Sequence, residues 1–158
     1  MAIDLEEQYD RLYRYCYFKL HSREQAEDLT QEAFLRWLEH GGAAQDPVTA
    51  QKYLYTVARN LCIDLFRRPQ AEPLAPEDAE TAGTTSGPEE AWAEQLAVRA
   101  ALTRLSPEEQ ELLLLRYVNE LPVAALAGVY GLSRFAVRRR LLAAAARLRT
   151  ELQKEELG

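Results

Sequence analysis

Cysteine, histidine and glycine are scarce in this sequence, and each scarcity removes a class of protein. Two cysteines, Cys16 and Cys62, in 158 residues cannot form a disulfide framework, and they lack the paired spacing of a zinc site. Both lie in helical patterns beside apolar neighbours, with no adjacent base to lower a thiol pKa, so they read as small core residues in a reducing compartment. The two histidines, His21 and His40, are far apart in sequence. The seven glycines form no loop able to cradle a phosphate. No apolar run reaches the roughly 18 residues of a membrane span, and acids stand at the N-terminus where a signal peptide would be basic and then apolar. The expectation is a cytoplasmic, non-inserting protein that performs no chemistry, with no catalytic residue, metal or cofactor to assign.

Basic residues are missing from one segment and crowded in another. Residues 1–68 carry 9 basic and 11 acidic side chains, residues 69–94 carry none and 7, and residues 95–158 carry 10 and 7, within a formal net charge of -6. An acidic chain with a basic C-terminal part suits nucleic-acid contact that is conditional or assisted. Between Arg134 and Arg149 stand six arginines and no acid.

Helical periodicity organises the rest. A first helix is expected over about Leu5 to Leu20, with Leu5, Tyr9, Leu12, Tyr13, Cys16 and Leu20 on one face. Ser22 with Gln25 has capping-box spacing and opens a second helix, which Gly41 and Gly42 end. Its buried stripe is Ala26, Leu29, Ala33 and Trp37, widened by Phe34 and Leu38; Asp28, Gln31, Glu32 and Leu35 lie outside. Asp46 as cap and Pro47 at the first helical position start a third helix reaching Arg68. It buries Leu54, Val57, Ala58, Leu61 and Leu65, and its flank carries Tyr53, Thr56, Asn60, Asp64 and Arg67. Residues 69–90 hold four prolines, two glycines and no aromatic, the composition of a flexible linker. Being acidic, this linker could also lie against a basic surface and screen it.

A further helix begins near Ala91, with Trp92, Leu96 and Ala100 as its apolar positions. Ser106-Pro107-Glu108-Glu109 combines cap, first-turn proline and capping-box glutamate, and opens a helix through Leu112, Leu113, Leu115 and Val118. From Pro122 a short helix runs to Gly131, and after Ser133 a long one buries Val137, Leu141, Ala144 and Leu148. Ala127, Gly131 and Val137 stand at the small, turn and anchor positions of a helix-turn-helix, a spacing shared with helical hairpins that merely pack. Arginines on the free face favour DNA, because a helix in the major groove needs donors for phosphates and guanine edges. The fold class is therefore all-α: two small helical domains, 1–68 and 91–158, joined by the acidic linker 69–90.

Both halves resemble the extracytoplasmic-function sigma factors of bacterial RNA polymerase. AEDLTQEAFLRWLEH (26–40) followed by KYLYTVARNLCIDLFRR (52–68) is similar to sigma region 2, and residues 102–149 are similar to sigma region 4. The resemblance implies a protein that binds core polymerase, carries it to promoters and helps open the DNA. It assigns Asp28, Gln31, Glu32 and Leu35 to the polymerase clamp helices, and the helix from Pro107 to Val118 to the flap. It sets Lys52, Tyr53, Thr56, Arg59, Asn60, Asp64, Arg67 and Arg68 against the downstream (-10) promoter element, with the loop Gly41 to Thr49 as one wall of a base pocket. Ser133, Arg134, Phe135, Arg138, Arg139 and Leu142 fall to the upstream (-35) element. An anti-sigma factor is a further implied partner. This chain departs from the family pattern with Tyr53 in place of a tryptophan and with Ala136, Arg139 and Ala143 in its recognition helix. A stand-alone helix-turn-helix regulator and a sigma-like adaptor that does not initiate are the competing readings.

Overall fold

The computed structural model describes residues 4–67 and 89–157, with side chains of the fourth helix described from Leu96 onward. Seven helices follow in order: α1 Leu5–Leu20, α2 Arg23–Glu39, α3 Pro47–Arg67, α4 Glu89–Thr103, α5 Pro107–Leu113, α6 Val123–Tyr130 and α7 Arg134–Leu157. The described residues contain no strand. The linker residues 69–88 and Arg68 lie outside the described residues, and with them any screening of the basic helix by the linker.

The helix starts are set by local chemistry. Ser22 accepts from the Gln25 N–H, Asp46 from the Thr49 N–H, and Ser133 from the Ala136 N–H. Ser106 and Glu109 form the reciprocal capping box, and Gly131 takes the left-handed conformation (φ 65°) that lets the chain turn between α6 and α7. One departure is informative. The helix expected to run unbroken from Pro107 to Val118 is α-helical only to Leu113 and then widens into a π turn, Leu114–Val118. Such a widened turn is uncommon and is often found at functional sites. Here it delivers Asn119 into the interior, where it is 2% exposed.

α1, α2 and α3 pack pairwise, and α7 is packed against α4, α5 and α6. These two units do not keep separate cores. Leu12, Tyr15, Cys16, Trp37, Leu54, Tyr55 and Ala58 belong to the same buried cluster as Leu112, Leu115, Leu121, Ala125, Leu126, Val129 and Val137. A smaller cluster of Leu105, Leu113 and Ala144 closes α7 over α4 and α5. Cys16 and Cys62 are free and buried in the main cluster, as core residues should be. Four apolar positions assigned inward face solvent instead: Leu5, Leu38, Leu96 and Val118 are all about half exposed or more. Leu5, Leu38 and Val118 lie near helix ends, where covering neighbours run out, whereas the exposure of Leu96, in the middle of α4, has no such cause. Tyr15, absent from the expected α1 face, is wholly buried because α3 and α5 both lie over it.

Candidate nucleic-acid interface

Three surfaces carry the residues singled out in the sequence. On α2, Asp28, Gln31 and Leu35 are exposed, and Glu32 is half-buried and paired with Arg36 at 2.8 Å. Spaced by three or four, they form one strip along the helix. Leu35, 55% exposed, gives that strip an apolar centre with no role in the core.

The second surface is the α3 flank and the loop before it. Trp37 donates its indole N–H to Gln45 Oε1 at 2.9 Å, which pins the loop Gly42–Ala44 against α2. Gly42 is required there, since a Cβ would meet the indole carbons at 2.3 Å. Gly42→Ala is expected to cost about 1–3 kcal/mol by overpacking, read as a lower urea midpoint. Asp46 then caps α3, the Thr49 hydroxyl and N–H holding its carboxyl below the usual range. Between loop and helix lies a cavity of about 290 Å³ lined by Gln45, Thr49, Lys52, Tyr53, Thr56 and Val57. The Tyr53 hydroxyl sits against the Arg36 carbonyl (3.3 Å) and His40 Nδ1 (3.2 Å), and the rings of Tyr53 and His40 lie 5.8 Å apart. Thr56 Oγ1 is buried with no hydrogen-bond partner. Farther along, Asn60, Asp64 and Arg67 are exposed.

Arg59 behaves differently from its neighbours. Its Nε donates to Glu111 Oε1 at 2.9 Å, and its guanidinium lies 4.6 Å from the centre of the Tyr130 ring. Glu111, 1% exposed, also takes Lys19 Nζ at 2.7 Å, the Tyr15 hydroxyl at 3.0 Å and the Tyr130 hydroxyl. Burial alone would raise this carboxyl; the bonds from Lys19, Tyr130 and Arg59 outweigh burial and hold it below the usual range. The Tyr15 and Tyr130 hydroxyls are pushed up, first by burial and then by the Glu111 charge. None of this was assigned from sequence. The available signal was a lone acid opening the run Glu111–Leu115, one helical turn before a buried leucine.

The third surface is the start of α7. Phe135 and Leu142 are 71% and 73% exposed, and Ser133, Arg134, Arg138 and Arg139 are exposed around them. Arg139 lies 5.6 Å from the Phe135 ring centre, which stiffens that pair. The six arginines are not equivalent. Arg140 pairs with Glu108 and Arg147 with Glu109, whereas Arg134, Arg138 and Arg139 form no ion pair among the described residues.

With the geometry in place, the comparisons with known proteins decide the family. Residues 5–72 match Sigma-70 region 2 and residues 101–150 match Sigma-70, region 4. SigL of Mycobacterium tuberculosis, an ECF RNA polymerase sigma factor, is 33% identical over 152 residues, covering 93% of this chain and 84% of that one. The chain belongs to the ECF RNA polymerase sigma factors. BldN of Streptomyces coelicolor, another ECF sigma factor, is 36% identical over 141 residues; the match covers 85% of this chain but about half of BldN, 53%. The solved structure of the sigma factor RpoE, crystallised with the anti-sigma factor NepR from Bartonella quintana, shares the fold at a TM-score of 0.62 and 17% identity over 94% of each chain. In this sigma factor, therefore, α1–α3 lie in the match to region 2, and α5, α6 and α7 as far as Thr150 lie in the match to region 4. The residues at the helix-turn-helix spacing, Ala127, Gly131 and Val137, lie inside the match to region 4.

Proposed function

We propose that this chain binds the core of a bacterial RNA polymerase, directs it to specific promoters and assists strand opening there. It works in the cytoplasm and contributes no bond-breaking chemistry of its own. The observation that carries this reading is the coexistence, in one chain, of the α2 strip and the α3 cavity with a helix-turn-helix whose Arg134, Arg138 and Arg139 are exposed and form no ion pair among the described residues. A stand-alone regulator needs only the last of these.

In this reading Asp28, Gln31, Glu32 and Leu35 meet the polymerase clamp helices. Support comes from their lying on one strip whose apolar member, Leu35, is 55% exposed. The cavity beside Tyr53 accepts an unstacked base of the downstream element. Its volume, its aromatic wall and the unpartnered Thr56 hydroxyl suit a flat, hydrogen-bonding ligand. Lys52, Arg59, Arg67 and Arg68 supply cations for the strand, and Asn60 and Asp64 lie along its path. Arg134, Phe135, Arg138, Arg139 and Leu142 read the upstream element, with Ser133 setting the helix start. A groove of about 510 Å³ bordered by Val98, Leu113, Tyr117, Val118 and Leu148 offers an apolar seat for the polymerase flap. The domain division at 1–68 and 91–158, and an anti-sigma partner that sequesters the chain, complete the proposal.

Run-off transcription with reconstituted core polymerase tests it. Promoter-specific transcripts are expected, and the triple variant Asp28→Ala, Gln31→Ala, Leu35→Ala should lower affinity for core polymerase by roughly tenfold or more. A protein that footprints promoters alone and fails to bind core polymerase is a stand-alone regulator. One that binds core polymerase without yielding a transcript is an adaptor.

A further inference from the structure

One hydrogen bond sets the polarity of the cavity beside Tyr53. We propose that Gln45 is the specificity-determining residue of this cavity, and that it selects a pyrimidine over a purine at one position of the downstream element. The proposal rests on the reading of the cavity as the seat of an unstacked base, and it names the class of base.

An indole N–H donates and never accepts. The Trp37 N–H therefore fixes which end of the Gln45 amide it meets, the oxygen, at 2.9 Å. Trp37 has no room to turn and release it: the ring is 1% exposed, packed edge-on by Phe34 and closed over by Gly42. With its oxygen spent on the indole, Gln45 has only its amide N–H2 left for the cavity it lines, and that group has no partner among the described residues.

The other polar groups around the cavity define what such a donor favours. Lys52, exposed and in no ion pair among the described residues, brings an ammonium, which has N–H bonds and no lone pair. Thr56 Oγ1, buried and unpartnered, can donate or accept. Thr49 is the exception: its hydroxyl donates to Asp46 Oδ1 at 2.6 Å, so only its lone pairs remain for a ligand. The Tyr53 hydroxyl is engaged with the Arg36 carbonyl and His40. The lining thus offers fixed donors from Gln45 and Lys52, a fixed acceptor from Thr49 and one group of either kind.

The pairing edges of cytosine and thymine each present two acceptors and one donor, the complement of this set. Adenine presents one acceptor beside an amine, and guanine one acceptor beside two donors. Against this lining adenine leaves a fixed donor unpaired, and guanine turns an N–H toward an N–H. A hydrogen bond left unmade in a closed site costs the desolvation of the group left over. The carbonyl beside the glycosidic bond, common to both pyrimidines and absent from both purines, is the acceptor for the Gln45 N–H2.

Two full-length variants, each reconstituted with core polymerase, test the assignment. Gln45→Glu keeps an oxygen for the Trp37 N–H and puts a second oxygen where the amide nitrogen was, so the donor becomes an acceptor with little change of shape. Trp37→Phe removes the N–H and lets the Gln45 amide turn either end to the cavity, with no change of charge. Run-off transcription from a promoter library randomised across the downstream element, read by sequencing the transcripts, gives the base preference at every position. The parent is expected to favour pyrimidine over purine by roughly tenfold, and both variants are expected to flatten that preference at one and the same position while leaving the others as they are. Should one variant lose helicity or fall silent, the other decides. Preferences that keep their shape while overall output falls make Gln45 a structural residue of the loop and overturn the proposal. So does a parent that favours pyrimidine at no position of the element. A parent that gives no promoter-specific transcript overturns instead the sigma-factor reading on which the proposal stands.

Discussion

Trp37→Ala is expected to remove about 3–5 kcal/mol of stability, roughly a fifth or more of what a domain of this size usually has. Trp37 heads the fully buried side chains at 1% exposure, and its ring packs edge-on against Phe34 with centroids 5.9 Å apart. Gly42 lies close against its other side, so the indole is enclosed by α2 and by the loop that α2 runs into. Truncation leaves a cavity that this loop cannot fill without surrendering the Gln45 bond. Urea denaturation followed by circular dichroism measures the loss. Trp37→Phe separates packing from pinning: it keeps an aromatic in the slot and removes only the N–H that holds Gln45. It should lose less stability than alanine but still weaken strand opening, because Gln45 lines the proposed base cavity. Permanganate footprinting of melted promoter DNA reads that second effect. If Trp37→Ala unfolds within about 1 kcal/mol of the parent, the loop is not held by the indole.

What could be read from the chain alone divides by distance along it. Caps and helix ends were legible because their causes lie three or four residues apart: Ser22 with Gln25, Asp46 with Thr49, Ser106 with Glu109. Buried stripes were legible where both flanks of a helix are covered, as for Val137, Leu141 and Ala144, and failed at margins such as Leu38 and Val118. Surface strips followed by subtraction, and the family resemblance gave them partners. The closure of one half on the other was not legible. Glu111 reads locally as one more surface acid; its partners Tyr15 and Arg59 are 96 and 52 residues away, and no local pattern announces them. The cavity beside Tyr53 was anticipated only as a loop wall, since Thr49, Tyr53 and Thr56 reveal a concavity only once the Trp37 bond to Gln45 has folded the loop back.

The arginines of α7 give the second large effect. By composition all six are equal, whereas by geometry they fall into two sets, and DNA binding should follow the sets. Arg138→Ala and Arg139→Ala are each expected to weaken holoenzyme binding to upstream-element DNA by about 1–3 kcal/mol; every 1.4 kcal/mol is a further tenfold in affinity. Both are exposed and outside any ion pair among the described residues, so their replacement should move stability by no more than about 0.5 kcal/mol. Arg140 and Arg147 are tied to Glu108 and Glu109 on the helix beneath α7. Their alanine variants should cost about 0.2–1 kcal/mol of stability and leave the sequence preference intact. Anisotropy titrations at several salt concentrations separate the two kinds of contact. An arginine that meets a phosphate lowers the salt slope by about one unit when removed, whereas one that reads a base edge changes the ranking of promoter sequences. Equal losses from Arg138→Ala and Arg147→Ala would sink this division, because the ion pair with Glu109 would then open on DNA. Leu142, about five-sixths of a turn beyond Arg139 and 73% exposed, should contribute through apolar contact alone, and its alanine variant should leave the salt slope unchanged.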